Sequence, residues 1–205
     1  MPGKINALLN DKLQNVEWGE YKLGDLFEVG TGSLLSNDEL KSGTIPRISA
    51  KSENNGTLGY FDSESLTNAR HFENFISVNF FGADGGIFYH PYKASVEMKV
   101  HTLKISNKEL NAKTGNFIAS SLKLALNGFG YGNQLSSSKL KDSDFKIQLP
   151  TKNGEIDFEY MESFIAQIEN DRITKLDEYL IRTGLKNYTL TTAEQQALDN
   201  MGGVD

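Results

Sequence analysis

The chain has 205 residues, no cysteine, 38% hydrophobic and 10% aromatic residues, and a formal net charge of -6. That content is enough for a packed core and excludes a disordered chain, a disulfide framework and thiolate chemistry. No run approaches ~20 consecutive apolar residues, and the opening MPGKINALLND lacks the apolar core of a signal peptide, so a soluble cytoplasmic protein without a membrane partner is expected.

Residues 1–16 form a polar leader with a short helix expected around Ile5 to Leu13. From EWGEYKLGDLFEVGTGS, residues 17–33, the text becomes dense in Gly and β-formers. Strands are expected at 45–49, 75–81, 86–90, 100–105 and 145–149, separated by clusters of Gly, Asn, Asp and Ser. One internal helix is expected in GNFIASSLKLALNG, where Phe117, Ile118, Leu122, Ala125 and Leu126 share a face, Asn116 is the expected N-cap and Gly128 the stop. Strands around one or two helices without alternating βαβ units predict an α+β domain with a twisted, mostly antiparallel sheet.

After Pro150 the pattern changes. Phe158, Met161, Ile165, Ile168, Ile173, Leu176 and Leu180 lie on one seam, with a slip near Asp171-Arg172 and Gly184 at its end. A helix over 156–182 would span roughly 40 Å, and its seam suits either its own domain or a partner helix of coiled-coil type. A second short helix is expected from the Thr191-Thr192 cap, fraying at Gly202-Gly203. Charge follows the same division: residues 17–150 hold 14 Lys+Arg against 15 Asp+Glu, and residues 151–205 hold 5 against 11. The near-neutral body is therefore the better nucleic-acid candidate, since Lys and Arg on phosphates supply most non-specific affinity.

The chemistry-bearing residues exclude more than they offer. FGADGGIF and NGFGYGN match neither phosphate-binding glycine fingerprint in a strand-to-helix setting and read as turns. Asp84, Glu97 and Lys99 fit a loose D…E-x-K spacing for a Mg²⁺-dependent nuclease, a pattern that structural ion pairs also produce. His71, His90 and His101 are scattered, without zinc spacing or a nucleophile partner. What remains is a set of side chains suited to base edges and phosphates: Arg47, Ser49, Lys51, Asn54, Asn55, Lys93, Lys99, His101, Tyr131, Asn133, Gln134 and the serines from Ser136.

Four motifs in order carry a resemblance: VEWGEYKLGDLFEVGTG, GTIPRISAKSENNGTLGYF, ISVNFFGADGGIFYH and YGNQLSSSKLKDSDFKIQLP, followed by the long helix. Over residues 17–184 the chain resembles the target recognition domain of type I restriction-modification specificity subunits, and is particularly similar to the type IIB, BcgI-like branch. The matching positions are Trp18, Leu23, Gly24 and Phe27; Ile45, Pro46 and Ile48; and Gln134, Leu135, Ser136 and Leu140 through Pro150. The resemblance implies a leader (1–16), a DNA-binding recognition domain (17–150), a spacer and dimerisation helix (151–184) and a tail (185–205). It implies a non-catalytic subunit that binds double-stranded DNA, reads half of a bipartite target and positions an adenine-N6 methyltransferase subunit, with a restriction subunit as a further partner. The chain itself would hold no cofactor, S-adenosylmethionine and Mg²⁺ belonging to those partners. Full-length relatives carry two such domains, so the single copy is expected either to dimerise through Met161, Ile165, Ile168, Ile173, Leu176 and Leu180 or to be part of a longer protein. A protein-interaction domain that touches no DNA is the remaining alternative.

Overall fold

The computed structural model describes residues 7–130, 132–141, 145–187 and 189–201. Helix α1 (Ala7–Asn15) is followed by β1 (Trp18–Lys22), a single turn α2 (Leu23–Leu26), β2 (Phe27–Thr31), β3 (Ser42–Ile48) and β4 (Thr57–Phe61). Five strands come next: β5 (His71–Phe72), β6 (Phe75–Asn79), β7 (Ile87–His90), β8 (Ala94–Val96) and β9 (Val100–Ile105). Then follow α3 (Ala112–Ala125), α4 (Ser137–Lys141), β10 (Lys146–Lys152), β11 (Glu155–Ile156), the long helix α5 (Phe158–Thr183) and α6 (Thr192–Met201).

The strands make three sheets, ordered β1-β10-β11, β2-β9-β6-β7 and β4-β3-β8-β5. Every named pair is antiparallel except β3 with β8, which run parallel with Arg47 opposite Ser95 and Ile48 opposite Val96. The α+β class with a mostly antiparallel sheet and a long C-terminal helix is therefore what the chain adopts. Strand β6 is buried at all five positions because β9 and β7 flank it and α3 packs nearby. Phe75, Ile48, Ala94, Val96 and Val100 form one core cluster, with Ala50 and Phe72 packed on it, so two sheets share apolar contacts.

The helix α3 starts earlier than its periodicity suggests. Its N-cap is Asn111, not Asn116: the Asn111 side chain accepts from the backbone N–H of Lys113 and of Thr114, each at 3.0 Å. The first turn carries Thr114 and Gly115, weak helix formers that hide the start in the sequence. Gly115 is required there by packing, since a Cβ would come within 2.3 Å of the Tyr89 ring. The FGADGGIF segment behaves as a turn, Gly82 and Gly86 holding φ of 60° and 94° between β6 and β7.

Strands β1, β2 and β8 are not separable in the local sequence, because each is specified by a distant partner; β1, for example, pairs with β10 from Trp18 opposite Pro150 to Lys22 opposite Lys146, while β4 pairs with its neighbour β3 across an irregular register. Strand β10 also runs through the expected boundary at residue 150 and turns back as β11. The leader helix is tied down as well: Leu9 is buried, the Tyr160 hydroxyl donates to the Lys12 carbonyl at 2.9 Å and the Trp18 indole to the Leu13 carbonyl at 3.1 Å.

Two compact units result, divided between Ile165 and Ala166. In the first, Met161 and Phe164 of α5 are buried, and Phe164 meets Phe117 edge-on at 5.9 Å. In the second, Ile173, Leu176, Tyr179 and Ile181 are exposed, while Ile168 and Leu180 are half-buried. Lys175–Asp171 and Lys186–Asp177 ion pairs decorate it, and the Thr191 N–H and hydroxyl both donate to the Glu194 carboxylate to cap α6. The expected fraying at Gly202-Gly203 lies outside the described residues. Among the described residues no helix is long and apolar enough to cross a membrane.

All three histidines are structural. His90 is fully buried, shares a 2.9 Å hydrogen bond with Ser77, packs against the Phe75 ring, and burial pushes its pKa down to about 4 from 6.5. His71 and His101 are lowered in the same direction, chiefly by burial. Between pH 6.5 and 4 the unfolded chain accepts a proton that the native His90 refuses, so stability is intact above 6.5 and falls as pH drops towards 4. Urea unfolding midpoints measured across that window should fall by the equivalent of about 3 kcal/mol for this group, and His90→Gln should flatten the slope.

Candidate nucleic-acid interface

One end of the first unit collects the loops. Strands β3 and β8 run parallel and leave their sheet together, so the loop after Ile48 lies beside the loop after Val96, tied by Glu97 N–H to the Ile48 carbonyl at 2.8 Å. Segment 32–35 joins them through Ser33 N–H to the Val96 carbonyl at 2.9 Å and Gly32 N–H to the Val100 carbonyl at 3.2 Å. Gly32 fits only without a side chain, because a Cβ would lie 2.2 Å from the Val96 carbonyl. The 133–136 segment is held at the same end, with Leu135 N–H donating to the Phe80 carbonyl at 2.7 Å and Phe80 N–H to that of Lys99 at 3.1 Å.

Between these loops lies an open depression of about 530 Å³, lined by Leu34, Ser49, Ala50, Lys51, Leu58, Phe81, Glu97, Met98 and Lys99. Lys51 and Lys99 are exposed and their ammonium groups have no partner among the described residues, so their charge is available to an anion. In the loop that carries Lys51, Asn54, Asn55 and Gly56 hold consecutive positive φ values of 53°, 51° and 76°, a left-handed turn closed by Ser49 N–H on the Gly56 carbonyl at 2.8 Å. Asn is among the few side chains that tolerate this conformation, and here it leaves both amides exposed at the tip.

Several expected contact residues are not surface groups. Arg47 is only 2% exposed: its Nη2 donates to the Ser33 carbonyl at 2.9 Å, and its Nη1 has no partner among the described residues. Burial lowers the guanidinium pKa, and the field of Glu97 opposes that shift. Arg47 is buried because it occupies the β3 position paired with Ser95 in the parallel ladder, so it braces the 32–35 loop and does not face solvent. Ser49 is buried too, its hydroxyl donating to the Gly56 carbonyl at 3.2 Å. His101 is fully buried on β9, where its Nε2–H donates to the Leu135 carbonyl at 3.1 Å, Nδ1 accepts from Ser137 at 3.3 Å, and the ring stacks on Phe80. These three residues build the end of the domain from within, Arg47 and His101 against neighbouring chain segments and Ser49 at the floor of the depression.

The others divide by place. Lys51 and Lys99 line the depression together, whereas Asn54 and Asn55 are exposed in the turn that follows Lys51, and Asn55 lines a separate hollow with Ile87, Phe88, Asn116 and Lys123. Lys93 lies at the opposite end of β8 from Lys99, exposed and ion-paired with Glu64 at 2.6 Å, which holds the Glu64 carboxyl below its usual range. Asn133 and Gln134 are exposed, and both accept from the Lys139 ammonium, the first through its side chain and the second through its carbonyl, at 3.1 Å each. Ser136 is half-buried and hydrogen-bonded to Ser138. Tyr131 and the side chain of Asp84 lie outside the described residues. Reading for polar side chains missed Lys139, and it missed the apolar members Leu34, Leu58 and Met98, because a Leu or Met in a loop carries no sequence signal of exposure.

The nuclease constellation gains nothing here. Glu97 lies in the field of the buried Arg47, and among the described residues no group of three or more His, Asp or Glu is placed to hold a metal ion.

Comparison with known proteins gives a consistent picture. Residues 15–178 match the family described as the type I restriction modification DNA specificity domain. The chain is 31% identical over 167 residues to the type II restriction enzyme BgcI specificity subunit of Heyndrickxia coagulans, covering 81% of this chain and 48% of that one. Its fold is similar to the crystal structure of the type I restriction-modification S subunit from M. genitalium, with TM-score 0.55 and 18% identity over 89% of this chain and 45% of that one. It is also similar to the HsdS subunit from Thermoanaerobacter tengcongensis, with TM-score 0.53 and 14% identity over 93% and 47%. The chain thus spans about half the length of the relatives it matches.

If Arg47 braces the loop from inside, Arg47→Ala should lower stability by roughly 2–4 kcal/mol, because packing is removed and the Ser33 carbonyl is left unpaired. Arg47→Met, which keeps the stem volume, should cost less. Urea unfolding of the two variants against the parent chain measures the difference.

Proposed function

The chain belongs to the type I restriction modification DNA specificity domain family, and from that premise we propose that it reads one half of a bipartite double-stranded DNA target without catalysing any reaction itself. The observation that carries this reading is the loop end of the first unit: the ammonium groups of Lys51 and Lys99, exposed and unpaired among the described residues, line one depression, and the exposed Asn54 and Asn55 follow Lys51 in the same hydrogen-bonded loop. Ammonium groups on a rigid frame address phosphates and set register, while amides and neighbouring side chains address base edges in the groove. Exposed loops on a fixed scaffold are suited to this task because the scaffold bears the stability and the loops bear the variation.

In this reading the recognition role belongs to residues 17–150 and the spacing role to 151–184. Methyl transfer to adenine N6 and strand cleavage are the work of methyltransferase and restriction subunits, which carry the S-adenosylmethionine and Mg²⁺. The exposed Ile173, Leu176, Tyr179 and Ile181 of α5 support a protein partner for that helix, with a second copy of this chain as the simplest occupant. A two-fold pairing would join two weak half-site contacts into one stronger one through effective concentration. The acidic C-terminal part suits contact with protein and not with DNA, and the cytoplasm is the compartment where such a complex meets its target.

Fluorescence anisotropy over a salt series tests the phosphate role. Lys51→Ala and Lys99→Ala should each weaken binding on all sequences alike and reduce the salt slope by about 0.9 for each phosphate no longer neutralised. An unchanged slope in both variants removes the phosphate role. Sedimentation equilibrium tests the helix: Ile173→Glu with Leu176→Glu should shift a dimer to monomer while leaving half-site binding, whereas an unchanged mass removes α5 from the interface.

A further inference from the structure

The depression at the loop end is not polar enough for readout by hydrogen bonds alone. Leu34 is 68% exposed, Met98 43% and Leu58 38%, and Ala50 beneath them packs on the core cluster. Exposed apolar side chains grouped at the tips of ordered loops mark a contact surface. The frame behind them is rigid. Ser33 accepts the Arg47 guanidinium on its carbonyl and the Arg70 N–H on its hydroxyl, its own N–H donates to the Val96 carbonyl, and the Arg70 guanidinium holds the Thr31 carbonyl. On the other side, the Glu97 carbonyl accepts from Val100 N–H at 3.1 Å, closing the turn that presents Met98.

The occupant of such a surface must offer anions to Lys51 and Lys99 and small apolar groups between them. Duplex DNA does so in its major groove, where phosphates border a floor from which the thymine C5-methyl projects at A·T pairs and nowhere else. Glu97, the acidic residue of the lining, has its charge opposed by Arg47.

Resting on the DNA-reading function above, we propose that Leu34 and Met98 are specificity-determining residues that recognise thymine methyl groups, with Lys51 and Lys99 fixing the flanking phosphates. The loop braced by Arg47 delivers Leu34, and the turn closed by Glu97 and Val100 delivers Met98. Selectivity at these base pairs comes from apolar contact, and the amides of Asn54 and Asn55 act at neighbouring positions.

The test is selection by the full chain from a randomised duplex library, run in parallel with a library in which uracil replaces every thymine. The parent chain should enrich thymine-containing sites, and uracil should cut that enrichment about fourfold for each methyl contacted, the worth of one buried methyl. Leu34→Ala and Met98→Ala should each lower enrichment on thymine, and the double variant should reach the uracil level; both residues are exposed, so thermal unfolding should match the parent. Lys51→Ala should lower retention on both libraries and leave the thymine preference intact. Equal enrichment of the same sites on the two libraries overturns the methyl contact and leaves DNA reading standing. A thymine-to-uracil difference that survives undiminished in the double variant overturns the assignment to these residues. No enrichment of any sequence overturns the DNA reading and this inference together.

Discussion

The parallel pairing of β3 with β8 is the constraint on which the candidate interface depends. An antiparallel pairing would send the chain ends of the two strands to opposite sides. Running together, they release the 49–56 and 97–99 loops at one edge, where Glu97 N–H meets the Ile48 carbonyl. The pairing is held by burial: Ile48 and Val96 sit opposite each other in the core with Phe75, Ala94 and Val100, all of them essentially inaccessible to water. Full burial of such side chains contributes on the order of 1.5–3 kcal/mol each, so the register of this short ladder is strongly set even though it contains few residues.

The same ladder explains why polar residues near the interface serve two different ends. Arg47 and Ser95 are cross-strand neighbours facing inward, and each retains a buried atom without a partner among the described residues, Nη1 and Oγ respectively. Two positions on, Ser49 closes the left-handed turn from beneath, and only beyond it does the chain reach solvent at Lys51, Asn54 and Asn55. His101 repeats the arrangement on β9, its two ring nitrogens engaged with Leu135 and Ser137 so that the 133–137 segment is clasped to the sheet. Interior polar side chains shape the loops, and exposed lysines, amides and apolar tips are left to meet a ligand.

The two units differ in what they leave uncovered. In the first, the apolar seam of α5 is consumed early by Met161 and Phe164, the latter edge-on to Phe117 and stacked on Tyr160. In the second, large apolar residues remain in water on a helix whose ion pairs lie at Asp171, Lys175, Asp177 and Lys186. A near-neutral body with exposed lysines at its loop end and an acidic helical part with bare apolar residues suit two different kinds of partner, nucleic acid for one and protein for the other.

Local periodicity determined a good deal. The α+β class, the long helix, the buried strands β6 and β9 and the turn role of the glycine segments were legible because alternation, 3.6-residue spacing and glycine punctuation act over a few residues. The ordered motifs also carried the family. The sequence could not say which donors face water: Arg47, Ser49 and Lys51 are near-neighbours of similar polarity in the text, yet two are buried and one is exposed. It could not locate β1, β2 or β8 either, since each is specified by a partner strand elsewhere in the chain. Exposure is a property of long-range pairing and not of residue type, so only the tertiary structure decided that Arg47 and His101 lie inside while Leu34 and Met98 stand at the surface of the candidate interface.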